Sequence, residues 1–227
     1  MTGRTVAFQR GFRRVLPVVL GVVPFGIAYG AASAQAMHWS QCLGMSALVF
    51  AGTAQFIAVG LLSQGVNLVS IIATTLMVNL RFVLLSSALS PVLLRETRAW
   101  QAVMSFFVVD ESFAISTVEF ERGETSSFLF LGTGCALWVI WMLSSALGIW
   151  LGPLIPKGYG FEFALPASLI GVLALLIRTR AVAAVGILGA LLCLAMYSVL
   201  PGAWSSLLAA MVATTLGVIW ERWRCGS

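Results

Sequence analysis

Apolar residues run along this chain in long, nearly unbroken stretches, without the strict alternation of a half-buried strand. Eight such stretches can be drawn, at 15–36, 40–63, 67–94, 99–118, 126–150, 163–177, 181–199 and 203–220. A hydrocarbon core of about 30 Å needs roughly 20 apolar residues of helix, and most of the stretches approach that length. The connections are short and rich in Gly, Pro, Ser and charge, as at Gly152-Pro153-Leu154-Ile155-Pro156-Lys157-Gly158 and Pro201-Gly202. A transmembrane β-barrel would instead show roughly ten-residue strands of alternating polarity, which this chain lacks. The pattern predicts an all-α integral membrane protein: a bundle of about eight transmembrane helices, some of them broken. One membrane domain is expected over 1–227, with a basic cytoplasmic amino terminus over about 1–14.

Composition agrees, with 60% hydrophobic and 9% charged residues, where a soluble domain is about a quarter charged. The net charge of +5 does not point to nucleic acid, because the basic residues sit at segment ends and form no solvated patch. They report orientation instead. If each segment crosses once from a cytoplasmic amino terminus, Arg4, Arg10, Arg13, Arg14, Arg122, Arg178, Arg180, Arg222 and Arg224 lie inside. Arg95, Arg98 and Lys157 then lie outside, and Arg81 lies within the membrane. The Arg95/Arg98 loop is the misfit; a hairpin across 67–94 would bring it inside, but would send Arg122 and the later arginines out. Eight crossings of a bacterial inner membrane are therefore expected. Trp39, Trp100, Trp150, Trp204, Trp220 and Trp223 fall near segment ends, where indole rings favour the lipid–water interface.

The Arg-rich start and the string Ala31-Ala32-Ser33-Ala34-Gln35-Ala36 imitate a cleavable signal peptide. The apolar run is longer than a signal core and carries Pro24, Gly26, Tyr29 and Gly30, so a retained helix is expected. Leu16-Pro17…Gly21-Val22 and Leu165-Pro166…Gly171-Val172 open two segments that enter from opposite sides, the pattern of an inverted repeat.

Three charges stand at membrane depth: Arg81 near the middle of 67–94, and Asp110 and Glu111 near the middle of 99–118. Each costs about 2.5–3.5 kcal/mol at a helix centre, so together they cost on the order of 8–10 kcal/mol before pairing. They must face protein or water. Asp110 and Glu111 are about 100° apart on a helix, so both can border one cavity while one of them pairs with Arg81. An Arg81–Asp110 pair that only fixes helix packing is one reading. The other is a substrate path, where both charge signs among apolar walls are complementary to an amino-acid zwitterion. Thr53, Gln55, Asn79 and Ser112 lie at similar depth, as substrate ligands or as hydrogen bonds between helices. Pro24, Gly26 and Gly52 are candidate helix breaks that would free backbone groups as ligands; close packing of small residues is the competing explanation. His38, beside Trp39, reads as a surface residue.

Cys42, Cys135 and Cys193 fall inside apolar segments and Cys225 at the tail, without a C-x-x-C spacing, so no metal, cofactor or disulfide framework is expected. The chain also lacks Gly-x-Ser-x-Gly, His-Glu-x-x-His and a Gly-rich phosphate loop, so it is not expected to be an enzyme. A channel or transporter for another small solute, and a structural subunit without transport of its own, stay open.

Pro24-Phe25-Gly26-Ile27-Ala28-Tyr29-Gly30, then Phe50-Ala51-Gly52-Thr53-Ala54-Gln55-Phe56, Asn79-Leu80-Arg81-Phe82 and Asp110-Glu111-Ser112-Phe113 together resemble the AzlC family of branched-chain amino acid exporters. The likeness in order and spacing covers about 15–118. It implies export of valine, leucine, isoleucine and sometimes methionine, alongside a small membrane partner of the AzlD family. It places the family's Ala-Gly-x-x-Gln element on Ala51, Gly52 and Gln55, its arginine on Arg81 and its acidic pair on Asp110 and Glu111. Where many members have an aromatic residue or His after the arginine, this chain has Phe82. That puts a proton relay at Phe82 in doubt and makes the acidic pair the better coupling candidate.

Overall fold

The computed structural model describes residues 3–154, 180–197, 208–209, 211–217 and 219–220. Contacts divide the chain into two compact units, Met1–Leu169 and Ile170–Ser227. The first unit contains α1 (Gly3–Arg14), α2 (Leu16–Ala36), α3 (Trp39–Val49), α4 (Gly52–Ser63), α5 (Leu68–Asn79), α6 (Arg81–Leu93), α7 (Arg98–Phe106), α8 (Asp110–Glu121) and α9 (Ser127–Leu151), followed by a 3₁₀ turn, Gly152–Leu154. The second contains α10 (Arg180–Tyr197). Every element among the described residues is helical.

Val15 keeps a helical backbone, φ −74° and ψ −23°, and Pro17 falls in the first turn of α2, where its missing N–H costs nothing. The α1–α2 rod runs parallel to α9 at very short range. A Cβ on Gly11 would land on the Leu129 carbonyl, one on Gly30 on the Ser145 carbonyl, and one on Gly148 on the Ile27 carbonyl. Small residues spaced by four, Gly26 and Gly30 against Ser144 and Gly148, allow this approach, and it replaces the hydrophobic force that lipid cannot supply between helices.

The interruption expected at Pro24 and Gly26 does not occur. α2 continues through both, with Pro24 exposed and Gly26 buried. A Cβ on Gly26 would lie 2.6 Å from the Ser144 Cβ, so this glycine serves close packing. The break on segment 40–63 falls one residue ahead of Gly52, at Phe50-Ala51.

Segments 40–63 and 99–118 do not make the single crossings expected of them. The Gln55 Nε2 donates to the Ser46 Oγ at 3.5 Å; nine residues of straight helix would hold these positions about 13 Å apart. α3 therefore folds back at Phe50-Ala51 into α4. Gly52 lies beside Phe25, and Phe56 packs on Phe25 and Tyr29, so α4 retraces α2 toward the end where α3 began.

The second hairpin is α7–α8, turning at Phe107-Val108-Val109. The Ser127 Oγ donates to the Glu96 Oε1 at 2.6 Å, which places the chain before α7 and the start of α9 at one end of the bundle. Trp100 then packs on Phe128, and Phe107 lies against Gly134 further along α9. α8 returns, and ion pairs from α1 hold both feet of the hairpin: Arg4 to Glu96 at 3.9 Å, Arg10 to Glu124 at 2.7 Å and Arg14 to Glu119 at 3.2 Å.

Among the described residues, the helices long and apolar enough to cross are α2, the α5–α6 run Leu68–Leu93 and α9. Residues 3–154 thus form three spans and two half-depth hairpins inserted from opposite ends. The misfit of Arg95 and Arg98 disappears. In this geometry they share one end with Arg4, Arg10, Arg13, Arg14 and Arg122, and within residues 3–154 no arginine lies at the other end.

In the second unit, Gly189 faces Ala213 and Gly217 faces Val185, so α10 packs antiparallel to the helical residues 211–217. Segments 181–199 and 203–220 are thus helical where described. Segment 163–177 and the Leu165-Pro166…Gly171-Val172 half of the expected repeat lie outside the described residues.

The hairpin topology predicts which loops share a face. In a background freed of native cysteines, Ser40→Cys and Gln64→Cys should react with an impermeant maleimide from the same side of the membrane. Arg95→Cys and Thr125→Cys should react together from the opposite side. A split within either pair would restore the single-crossing map.

Candidate functional site

The tips of the two hairpins meet at the middle of the bundle. Phe50, at the first tip, has φ 44° and ψ 43°, the left-handed region, and is the one non-glycine residue with positive φ among the described residues. This conformation costs about 1–2 kcal/mol for an L residue and persists only where its surroundings enforce it. Here Phe50 is buried, with its ring 5.9 Å from the Phe106 ring and 6.4 Å from that of Phe107.

Around this contact lies a narrow cavity of about 50 Å³, space for a few waters. Its walls are Val22 and Phe25 from α2, Phe50, Ala51, Gly52 and Thr53 from the first tip, and Val109, Asp110 and Glu111 from the second. Arg81 and Phe82 from α6 and Leu137 and Trp141 from α9 complete it. Of the candidates read from sequence, Thr53, Gly52, Arg81, Asp110 and Glu111 are brought together here.

Local structure explains how charge is tolerated at this depth. The sequence reading put Asp110 and Glu111 inside a helix, but they form the first turn of α8. There the unsatisfied N–H groups and the positive end of the helix dipole favour carboxylates. Arg81 opens α6 at the joint after Leu80. Its Nη1 lies 2.9 Å from the Asp110 Oδ2, its Nη2 donates to the Thr53 Oγ1 at 3.5 Å, and its guanidinium lies 5.1 Å from the centre of the Phe82 ring. The Arg81 Nε is buried without a hydrogen-bond partner. Arg81 and Asp110 side chains keep 38% and 48% of their accessible surface, so the pair is not sealed inside the bundle. Glu111 makes no ion pair among the described residues, and so is the uncommitted acid of the site.

Gln55, Asn79 and Ser112 do not line the cavity. Gln55 is fully buried and bridges the arms of the first hairpin through Ser46, leaving its Oε1 unpartnered. Ser112 accepts from the Val109 N–H at 3.0 Å, and its hydroxyl lies 2.7 Å from the Phe107 carbonyl, so it ties the second tip together. Asn79 ends α5 with a buried, unpartnered Oδ1.

Reading the sequence missed the aromatic wall. Phe25 and Phe56 stack at 4.8 Å and Tyr29 and Trp141 at 5.6 Å, beneath the charged cluster. A signal was present: Trp138 and Trp141 stand in the interior of segment 126–150, away from the interfaces where the other tryptophans cluster. Trp138 donates to the Ala47 carbonyl at 3.1 Å, holding α3 to α9, and the Trp141 indole N–H is buried without a partner.

Membrane-length helices, paired discontinuous hairpins and a charged cavity at mid-depth define a polytopic membrane protein of transporter type. Residues 17–155 match the AzlC protein family, and the chain belongs to that family. It is 26% identical over 173 residues to the inner membrane protein YgaZ of Escherichia coli (strain K12), covering 72% of this chain and 70% of that protein. An uncharacterized membrane protein of Archaeoglobus fulgidus is 29% identical over 151 residues, 66% of this chain and 64% of its own length. One from Haemophilus influenzae is 27% identical over 186 residues, 75% and 71% respectively. No solved structure matches the chain.

The strain at the tip gives a direct test. Phe50→Ala and Phe50→Gly remove the same ring contacts, but only glycine relieves the left-handed backbone. Phe50→Gly should therefore be the more stable by about 1–2 kcal/mol, measured by thermal unfolding in detergent. Equal stabilities would show that the backbone at the tip carries no strain.

Proposed function

We propose that the chain is a transporter domain that exports branched-chain or similar hydrophobic amino acids across a bacterial inner membrane. What carries this reading is the pairing of Arg81 with Asp110 beside an uncommitted Glu111, within a cavity otherwise walled by Phe25, Phe50, Leu137 and Trp141. A zwitterion with an apolar side chain presents the complement of each part. Arg81, whose Nε has no partner, receives the substrate carboxylate, and the acidic pair receives the ammonium and a proton. Apolar walls accept valine, leucine, isoleucine or methionine.

A cavity of about 50 Å³ is too small for leucine, so binding requires the hairpin tips to separate. Separation of one hairpin and then the other opens the site to each side in turn, an alternating-access cycle in the proton gradient. The end that holds Arg4, Arg10, Arg13, Arg14, Arg95, Arg98 and Arg122 faces the cytoplasm by the positive-inside rule, which keeps the amino terminus inside. Family membership supports a small AzlD-type membrane subunit as partner.

Reconstituted with that partner, the wild type should move labelled leucine, and Arg81→Gln and Asp110→Asn should each lower flux more than tenfold while inserting normally. The double variant should be no worse than the weaker single one, because the two residues act as a unit. Glu111→Gln should abolish the response to an imposed pH gradient yet leave leucine exchange at equilibrium intact. Normal flux in all the variants would sink the site assignment. Failure of valine, isoleucine and methionine to compete would point to another small solute, and absence of any flux with the partner would indicate a structural subunit.

A further inference from the structure

α1 presents two different faces. Ala7, Gly11 and Val15 are buried against α9. The outward face carries Val6, Gln9, Arg10 and Arg13 and continues down the α1–α2 rod as Leu16 and Leu20, which are 70% and 80% exposed. Val6, Gln9, Arg10, Arg13 and Arg14 line a groove of about 390 Å³. Two of its guanidiniums are engaged inward, Arg10 by Glu124 and Arg14 by Glu119. Arg13 is exposed and has no carboxylate partner among the described residues. Seven arginines share this end of the first unit with four glutamates, so the groove lies in a net positive field.

We infer that this groove binds an anionic phospholipid. The net positive field selects a headgroup whose phosphate charge is not neutralised by an ammonium of its own, with Arg13 as its main partner and the Gln9 amide as a further donor. Leu16 and Leu20 stand about 5 and 10 Å along the helix from Arg13, toward the bilayer centre, where the first methylenes of an acyl chain would lie. A free phosphate ion would use only the upper part of this surface, whereas a lipid uses all of it. An anionic headgroup would supply the missing counter-charge to Arg13 without breaking either ion pair that holds the α7–α8 hairpin.

The purified full-length chain is titrated with phosphatidylglycerol or phosphatidylcholine, and bound lipid is read by native mass spectrometry, with inorganic phosphate as competitor. Phosphatidylglycerol should bind about fivefold tighter than phosphatidylcholine, the factor expected for one basic side chain near an anionic surface. Arg13→Gln, an exposed substitution that leaves every ion pair intact, should erase that preference. Arg98→Gln, at the same end on α7, should preserve it, and Leu20→Ser should weaken both lipids. Equal binding of the two lipids, a preference that survives Arg13→Gln, or an equal loss in Arg98→Gln would overturn the proposal. Displacement of phosphatidylglycerol by millimolar phosphate would replace it with a simple anion site.

Discussion

Hydrocarbon offers no partner to a free backbone amide or to an ionised side chain, and the arrangement of this protein follows from keeping both away from lipid. Each hairpin tip leaves backbone groups outside helical bonding, and each of the three mid-depth charges needs a polar surrounding. The fold meets both needs in one place. α2 and α9 enclose the tips from one side, the first turn of α8 receives the carboxylates, and the α5–α6 joint brings the arginine to them. Helix breaks and charges are therefore two expressions of the same buried polar centre.

Much of the fold is legible in the pattern of apolar positions. Stretches 15–36 and 126–150 coincide closely with α2 and α9, because continuous hydropathy over a full bilayer thickness has one solution. The hairpins were not legible as hairpins. A segment that enters halfway and returns passes through the same hydrocarbon as one that crosses, so hydropathy records depth and not direction. Two traces of the return were present: the basic Arg95/Arg98 loop that would not fit outside, and polar or charged residues at the centres of 40–63 and 99–118.

The candidate site divides along similar lines. Depth alone grouped Arg81, Asp110, Glu111 and Thr53, which do line one cavity, with Gln55, Asn79 and Ser112, which do not. The difference is azimuthal: Gln55 turns toward the partner arm of its hairpin and Ser112 toward the loop before its own helix. Without the positions of the breaks, the rotation of each short helix is undetermined from sequence. The same ambiguity hid Trp141, whose place in the wall depends on which face α9 turns toward α2 and α4. Gly26 followed the opposite course, a suspected break that proved to be a contact surface.

The contact between the α1–α2 rod and α9 has a mechanical consequence. Where backbone meets backbone at Gly11, Gly30, Gly132 and Gly148, no side chains can change rotamer to absorb a small displacement. The registry of the two helices is set by the helical repeat itself, so the next equivalent position is a full turn, about 5.4 Å, away. Gradual sliding along this seam is blocked, and the pair acts as a fixed strut. Any change in shape at the centre must then be borne by the four short helices hung on that strut, of 9 to 12 residues each against the 21 and 25 of α2 and α9.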